Sequence, residues 1–404
     1  MPTKTILNGI MLNEEQRMPR CYNSMIHCVD AACWTDTGST DKSIDIVYQL
    51  GRQHNIPSKV YQDKWVDFSH NRTSSLRHME QYLFEELDPI PIEPMTEKEW
   101  NGKVNTWYVL FMDSDNVLCA GDPNKAKGGV DKPGKEFKLD KDSLKEPRLV
   151  IDMTCGPTIY DYCWGHELDR AGECLFIWSQ PLHEYVTSDG WSCNTQRVPG
   201  GYIISGRDGA RSQQSQSLKY NNDLVMFENF LLREPRNARG WFYAGQSARD
   251  CQNWKKCYDY YLERTAMKGW HEEVYKSHLE CYNVLLTQLD TKNTEKQLYH
   301  VLQAYETYPE RFEATYFYIK YLADKGHYKA AWNFARAHVF SNPPHPVLFG
   351  DGPIINWRFY LLTAEVAFDS GEKSASQKIL RKIIDAPGLP EEEKNHIREM
   401  LKRC

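Results

Sequence analysis

Strand signals stop near residue 222 of this 404-residue chain, and the remainder reads as paired helices. That switch restricts the fold more than any other feature. One hydrophobic core stops growing at about 250–300 residues, so two domains of about 200 residues each fit the length. We read residues 1–221 as one domain and residues 222–404 as a second.

In the first half, short apolar stretches alternate with helical periodicity. TILNGIML (5–12) predicts a strand, Arg20 to Cys28 a helix, and Ala31 to Trp34 a second strand. After the turn TDTGSTD, Asp41 can cap a helix in which Ile44, Val47, Tyr48 and Leu50 recur at helical spacing. Lys59 to Tyr61 predicts a third strand and Ser69 to Leu87 a long helix. A polar, Pro-rich interruption from Asp88 to Asn105 leads into TWYVLFM (106–112), a strongly apolar strand ending in the acids of DSD. This β-α-β-α order predicts an α/β domain with a mainly parallel sheet, whose ligands bind at the carboxyl ends of its strands. Residues 121–146, rich in Lys, Gly and Asp, predict an exposed excursion, and strands resume at Arg148–Met153 and Gly201–Ser205.

In the second half, Trp241, Ala244, Gly245 and Ala248 place small and aromatic side chains on one helix face, with Trp254, Cys257 and Tyr261 on the next helix. Gly326, Tyr328, Ala331 and a closing Pro343 form a similar unit. Tyr360, Ala364, Ala367 and Gly371, with Leu380 and Ile383, form another, and a degenerate unit ends at Tyr308-Pro309. These positions match the tetratricopeptide pattern, so an all-α domain of three or four such repeats is expected.

Composition excludes several classes. A formal charge of -6 and a pI of about 6.1 argue against a nucleic-acid partner, which calls for a clustered basic surface. The sequence has no long apolar run, so no membrane span is expected. Asn8, Gly9, Glu14 and Glu15 break any leader-like stretch at the start, so a cytoplasmic location is expected. The cysteines form no C-x-x-C pair, which predicts buried thiols over a zinc site.

Two motifs carry chemistry. In Asp36-Thr37-Gly38-Ser39-Thr40-Asp41, a carboxylate at a strand end can accept hydrogen bonds from a nucleobase or ribose; the plainer reading is a capped strand-to-helix turn. In Asp113-Ser114-Asp115, two acids after a buried strand are costly unless solvated, paired or metal-bound. On an extended chain they would face one side, toward a cation such as Mg²⁺ or Mn²⁺.

With these motifs in order, TILNGIMLNEE, W-x-D-T-G-S-T-D, D-K-W-V-D-F-S-x-N-R and WYVLFMDSDN resemble the family 2 glycosyltransferases of the GT-A fold. WSQPLHEY (178–185) and DGARS (208–212), running into helical repeats, look like the subgroup that appends tetratricopeptide repeats. The resemblance implies that Leu12, Asn13, Glu14 and Asp36 contact the nucleoside and that Arg72 meets the diphosphate. It also implies that Asp113 approaches ribose and metal, and that Asp115 ligates Mn²⁺ or Mg²⁺. Glu184 would be the general base of an inverting displacement, with His183 beside it as a metal or phosphate contact. Asp169 and Glu167 stand in reserve as bases, while Trp178 and Trp191 read as core or sugar-stacking aromatics. The implied partners are a nucleotide-sugar donor, UDP-sugars first, and a glycan or polypeptide acceptor, with a homodimer through the repeats also conceivable. Two departures stand out. Asn116 replaces the family's usual acid, and Ser205, Gly206 and Arg207 stand where relatives carry histidines, with Arg207 a substitute cation. A repeat scaffold with a degenerate nucleotide-sugar domain is the competing reading.

Overall fold

The computed structural model describes residues 3–89, 106–123, 129–131, 134–155, 158–168, 176–187, 193–209, 215–341 and 348–404. Most of the Pro-rich interruption (90–105), parts of the 121–146 excursion, Asp169, Trp191, the end of DGARS (210–212) and Pro343 lie outside the described residues. The chain divides into two compact units, Met1–Lys219 and Tyr220–Cys404.

The first unit is built on a mixed, mostly parallel sheet of β1 (Thr3–Met11), β2 (Ala31–Asp36), β3 (Ser58–Gln62), β4 (Thr106–Phe111), β5 (Val117–Ala120), β6 (Arg148–Cys155), β7 (Thr158–Glu167) and β10 (Thr195–Ile204). Their order is β3-β2-β1-β4-β7-β6-β10-β5. The first four neighbours run parallel, as do β6 and β10. The β4–β7, β6–β7 and β5–β10 pairings are antiparallel. A separate two-stranded ribbon joins β8 (Ile177–Ser179) to β9 (Tyr185–Thr187).

Alternation along each strand serves two cores. Leu7, Trp34 and Leu110 point to one face with Met18, Tyr22, Val47 and Leu50 of α1 (Met18–Met25) and α2 (Ser43–His54). Ile6, Cys33, Val109 and Phe111 point to the other, with Leu76 and Met79 of α3 (Phe68–Gln81). Asn8 breaks the apolar run of β1 for a reason: its buried amide donates to the Cys33 carbonyl at 3.2 Å and to Ser75 Oγ at 3.0 Å, tying α3 to the sheet.

Several boundaries shift. α1 starts and ends earlier than expected because Pro19 fits a first helical turn, where its missing N–H costs nothing. α3 is capped by Asp67, whose Oδ1 accepts from the His70 N–H at 2.8 Å, and continues as π-helical turns over Tyr82–Leu87. Asp41 lies just outside α2, accepting from the Ser43 N–H at 3.0 Å.

The second unit is all helix. Helix pairs form at Ala238–Asp250 with Trp254–Thr265, His271–Val284 with Thr294–Thr307, Phe312–Asp324 with Tyr328–Ala335, and Phe359–Asp369 with Lys373–Ile383. A last helix, Glu391–Arg403, closes the series. Gly245 lies flat against the Tyr261 ring, where an added Cβ would sit 2.9 Å from ring carbon. Ala248, Ala331, Ala364 and Ala367 are fully buried at equivalent crossings. Among the described residues, no helix is long and apolar enough to cross a membrane. The described cysteines are unpaired, and Cys21, Cys28, Cys33, Cys119, Cys257 and Cys281 are buried.

Candidate functional site

The carboxyl ends of β1, β2 and β4 deliver Leu12–Glu14, Asp36 and Asp113–Asp115 to one edge of the sheet. Arg72 rises from the first turns of α3, and Glu184 comes from the loop between β8 and β9.

Arg72 is the organising side chain. Buried against Trp178, with its guanidinium 5.1 Å from the ring centroid, it donates from Nη2 to Asp113 Oδ1 at 2.5 Å and from Nε to Glu184 Oε1 at 2.8 Å. Burial alone would lower its pKa, but the Asp113 and Glu184 carboxylates outweigh that and raise it, so the cation is permanent. The arginine is therefore no surface ion pair. It is an internal strut between two of the expected site acids. Trp178, packed edge-on to Phe111 at 5.0 Å, belongs to the core beneath it.

The extended D-x-D geometry expected from the sequence does not hold. The Asn116 N–H donates to the Asp113 carbonyl at 3.0 Å, folding Asp113–Asn116 into a turn because β5 must double back immediately. Asp113 keeps 38% of its side chain exposed, and Asp115 is likewise only half-buried. The Asp115 carboxyl is raised above the usual range, first by burial and then by Asp113 and Asp208, against the Gly209 N–H that donates to its Oδ2 at 3.3 Å. Gly206 lets the loop after β10 press on this turn: a Cβ there would overlap the Asp115 carbonyl oxygen. Asn116 joins the same two segments by accepting from the Gly206 N–H at 3.2 Å.

Asp36 is fully buried, and its carboxylate accepts the N–H groups of Gly38 at 3.1 Å and Ser39 at 3.0 Å, as in the plainer capped-turn reading. Asn13 sits in the left-handed region at φ 55°, and its side-chain oxygen accepts from the Thr40 N–H at 2.8 Å. The Glu14 N–H donates to Ser43 Oγ at 2.7 Å, and its buried carboxylate lies 3.5 Å from Arg17. Leu12 is exposed, as is His183, which also has a left-handed backbone at φ 55°.

Some expected residues are elsewhere. Glu167 pairs with Tyr108 near the start of β4, at the other end of the strand from the acids, so it is no reserve base. Arg207 directs its guanidinium at Cys155 Sγ, 2.9 Å from Nη2. Conversely, the motifs did not mark Arg20, which ion-pairs with Asp208 and donates to the Asp115 carbonyl at 3.0 Å. Arg17 and Arg20, three apart on one helical face, were the available signal. Tyr162, close enough for its hydroxyl to feel Asp113 and Arg72, was hidden in a polar strand.

Among the described residues, no group of three or more His, Cys, Asp or Glu is arranged to hold a metal. Asp113 and Asp115 offer two half-buried carboxylates crowded by like charge, a donor set for a hard divalent ion that takes one or two carboxylates and completes its shell with phosphate and water.

No family model and no curated protein matches the sequence. Among solved structures, residues 1–349 of S. aureus TarS, in complex with UDP-GlcNAc, overlay 77% of this chain and 90% of theirs, at 12% identity and a TM-score of 0.31. MamA covers 44% of this chain and 93% of its own at 10% identity and 0.33. YrrB, a TPR protein with an unusual peptide-binding site, covers 42% and 78% at 15% identity and 0.31. The architecture rests on the strand order and helix pairing themselves. It is a mixed, mostly parallel α/β sheet followed by tetratricopeptide-like helices.

Proposed function

We propose that the chain is a metal-dependent glycosyltransferase, moving a sugar from a nucleotide-sugar donor, UDP-sugars first, to a hydroxyl of a glycan or polypeptide. The observation that carries this reading is the crowding of Asp115 and Asp113 at the carboxyl end of β4, where partial burial and like charge make ionising Asp115 costly. A cation beside them relieves that cost. Mn²⁺ or Mg²⁺ would be held by Asp115 and Asp113. When bound, it supplies positive charge for the departing nucleoside diphosphate.

The chain's own groups do the rest. Leu12 and Asn13 face the nucleoside side, where the exposed Leu12 offers an apolar contact to the base, and the buried Glu14 and Asp36 hold the two loops in place behind them. Arg72 fixes Asp113 and Glu184 relative to each other and adds a permanent cation near the phosphates. Its bond to Glu184 uses Oε1, leaving Oε2 to take the proton of the acceptor hydroxyl. As that proton moves, the acceptor oxygen bonds to the anomeric carbon, the bond to the diphosphate breaks on the opposite face, and configuration inverts. His183, exposed beside Glu184, serves as a phosphate or metal contact.

One observation favours the competing reading of a non-catalytic repeat scaffold: Asp113 and Glu184, both expected to act on ligands, are already paired with Arg72. Screening nucleotide sugars for Mn²⁺-dependent hydrolysis separates the two. The enzyme reading predicts turnover of at least one donor, reduced to background in Asp115→Asn and strongly reduced in Glu184→Gln. Metal-dependent turnover that persists in Asp115→Asn contradicts the assignment, and no turnover with any donor favours the scaffold.

A further inference from the structure

Charge is spread unevenly over the second unit. Two short segments, 325–340 and 373–382, carry seven Lys and Arg and no Asp or Glu. Since the whole chain totals -6, these segments stand at +7 and the remainder at -13. All seven cations are exposed. Among the described residues none of them is ion-paired, whereas Lys255, Lys320 and Lys394 of the same unit each have an acid. Their contacts are to neutral groups. Lys373 donates to the Arg403 carbonyl at 3.1 Å, Lys378 lies 5.0 Å from the Phe340 ring centroid, and Lys382 lies 4.7 Å from that of Tyr360.

The two segments meet on the outer side of one core. They hold the second helices of the last two pairs, Tyr328–Ala335 and Lys373–Ile383, whose Trp332, Ala335, Ile379, Leu380 and Ile383 pack in a shared cluster. In the first, Lys329, Asn333 and Arg336 recur at helical spacing on the exposed stripe, and Phe340 follows one turn on. In the second, burial of Ser376, Ile379, Leu380 and Ile383 leaves the outer arc to cations. Phe340 links the two, with its ring beside Lys378 and 56% of it exposed to water. The nearest acids in sequence, Asp324, Glu372 and Asp385, stand outside both segments, and Asp324 is taken by Lys320. Like charges within a Debye length of about 8–10 Å repel, so this face costs free energy while it is bare. An anionic surface laid on it removes that cost.

We propose that this face docks the chain on an anionic lipid membrane, the cations meeting headgroup phosphates and carboxylates and Phe340 entering the interfacial region. An exposed aromatic ringed by unpaired cations combines the two contributions that hold a protein on such a surface, apolar burial and attraction to anionic lipid. A long nucleic acid suits the face less well, because a polyanion reaching beyond it meets a remainder that carries -13. A planar membrane touches this face alone. Docking of this kind belongs to the second unit and does not depend on the reaction proposed for the first.

The test is flotation of the full chain with vesicles of phosphatidylcholine alone or with about 30% phosphatidylserine. The anionic vesicles should carry the protein at low salt and release it as salt rises, and the neutral ones should not carry it. Lys329→Glu with Arg381→Glu, at two exposed cations unpaired among the described residues, should weaken binding at least about thirtyfold. Phe340→Ser should weaken it about five- to tenfold. Lys255→Glu with Lys268→Glu, the same charge change outside the face, should stay within about twofold. All variants should melt with the unsubstituted chain; if one melts lower, the salt and lipid comparisons on the unsubstituted chain decide alone. Equal binding to both vesicle types, or equal losses in the two double variants, overturns the proposal. So does a chain that ignores both vesicles, and if Lys329 and Arg381 then retain a single-stranded RNA oligonucleotide, the face takes nucleic acid instead.

Discussion

Asp115 and Arg72 make opposite predictions about stability. Asp115 is half-buried beside Asp113 and Asp208, so its charge works against the metal-free fold. Asp115→Asn should therefore raise the melting temperature in EDTA while abolishing Mn²⁺-dependent donor turnover; a lower melting temperature would mean the carboxylate is structural. Arg72→Ala leaves Asp113 and Glu184 without their buried cation and should cost about 3–5 kcal/mol in urea unfolding. Arg72→Lys should recover only part of that, because an ammonium cannot span both acids as Nε and Nη2 do. At this scale the sequence was legible where a residue's role is local. The capped-turn alternative at Asp36 and the capping role of Asp41 were legible, because their partners lie within a few residues. Arg72 was legible as a candidate but not as a strut, since its partners are 41 and 112 residues away. Nor could spacing reveal that the D-S-D acids lie on a turn, since that depends on β5 returning against β10.

At the scale of elements, close approach is carried by glycines and alanines. Gly206→Ala would push a methyl into the Asp115 carbonyl, and Gly245→Ala would push one into the Tyr261 ring. Each should cost about 1–3 kcal/mol by denaturant titration. Gly206→Ala should also weaken donor binding, whereas Gly245→Ala should leave it unchanged. The parallel strands β1 to β4 and the helix pairs were readable because short continuous apolar runs and period-3.6 apolar patterns are strong there. β7, TIYDYCWGHE, was not readable: it alternates polar with aromatic residues and gains its strand state from β4 and β6 on either side. The ribbon of β8 and β9 is only three residues a strand, too short for any pattern.

For the whole molecule, buried histidines set the acid limit. In the helical unit His278 Nδ1 lies 3.1 Å from His300 Nδ1, and His300 Nε2 lies 3.2 Å from the Tyr258 hydroxyl. Burial pushes both down to about 4, reinforced by His300 for the first and by Lys296 for the second. Burial also pushes His166 in the α/β unit down to about 4, with Arg148 adding to it. Between pH 6.5 and 4 the unfolded chain thus binds more protons than the folded one, so stability falls as pH falls through that window. Unfolding free energies measured at pH 7 and pH 5 should show the loss in both units, and His300→Gln should flatten the slope only in the helical one. An unchanged slope in that variant would mean the histidine pair does not set the acid limit.

The central claim is that Asp113 and Asp115 hold a divalent ion against a nucleotide diphosphate, and calorimetric titration of UDP into the full chain tests it most directly. UDP should bind in the presence of Mn²⁺, bind far more weakly in EDTA, and fail to bind Asp115→Asn under either condition. UDP binding that is the same with and without Mn²⁺, or unaltered in Asp115→Asn, would contradict it.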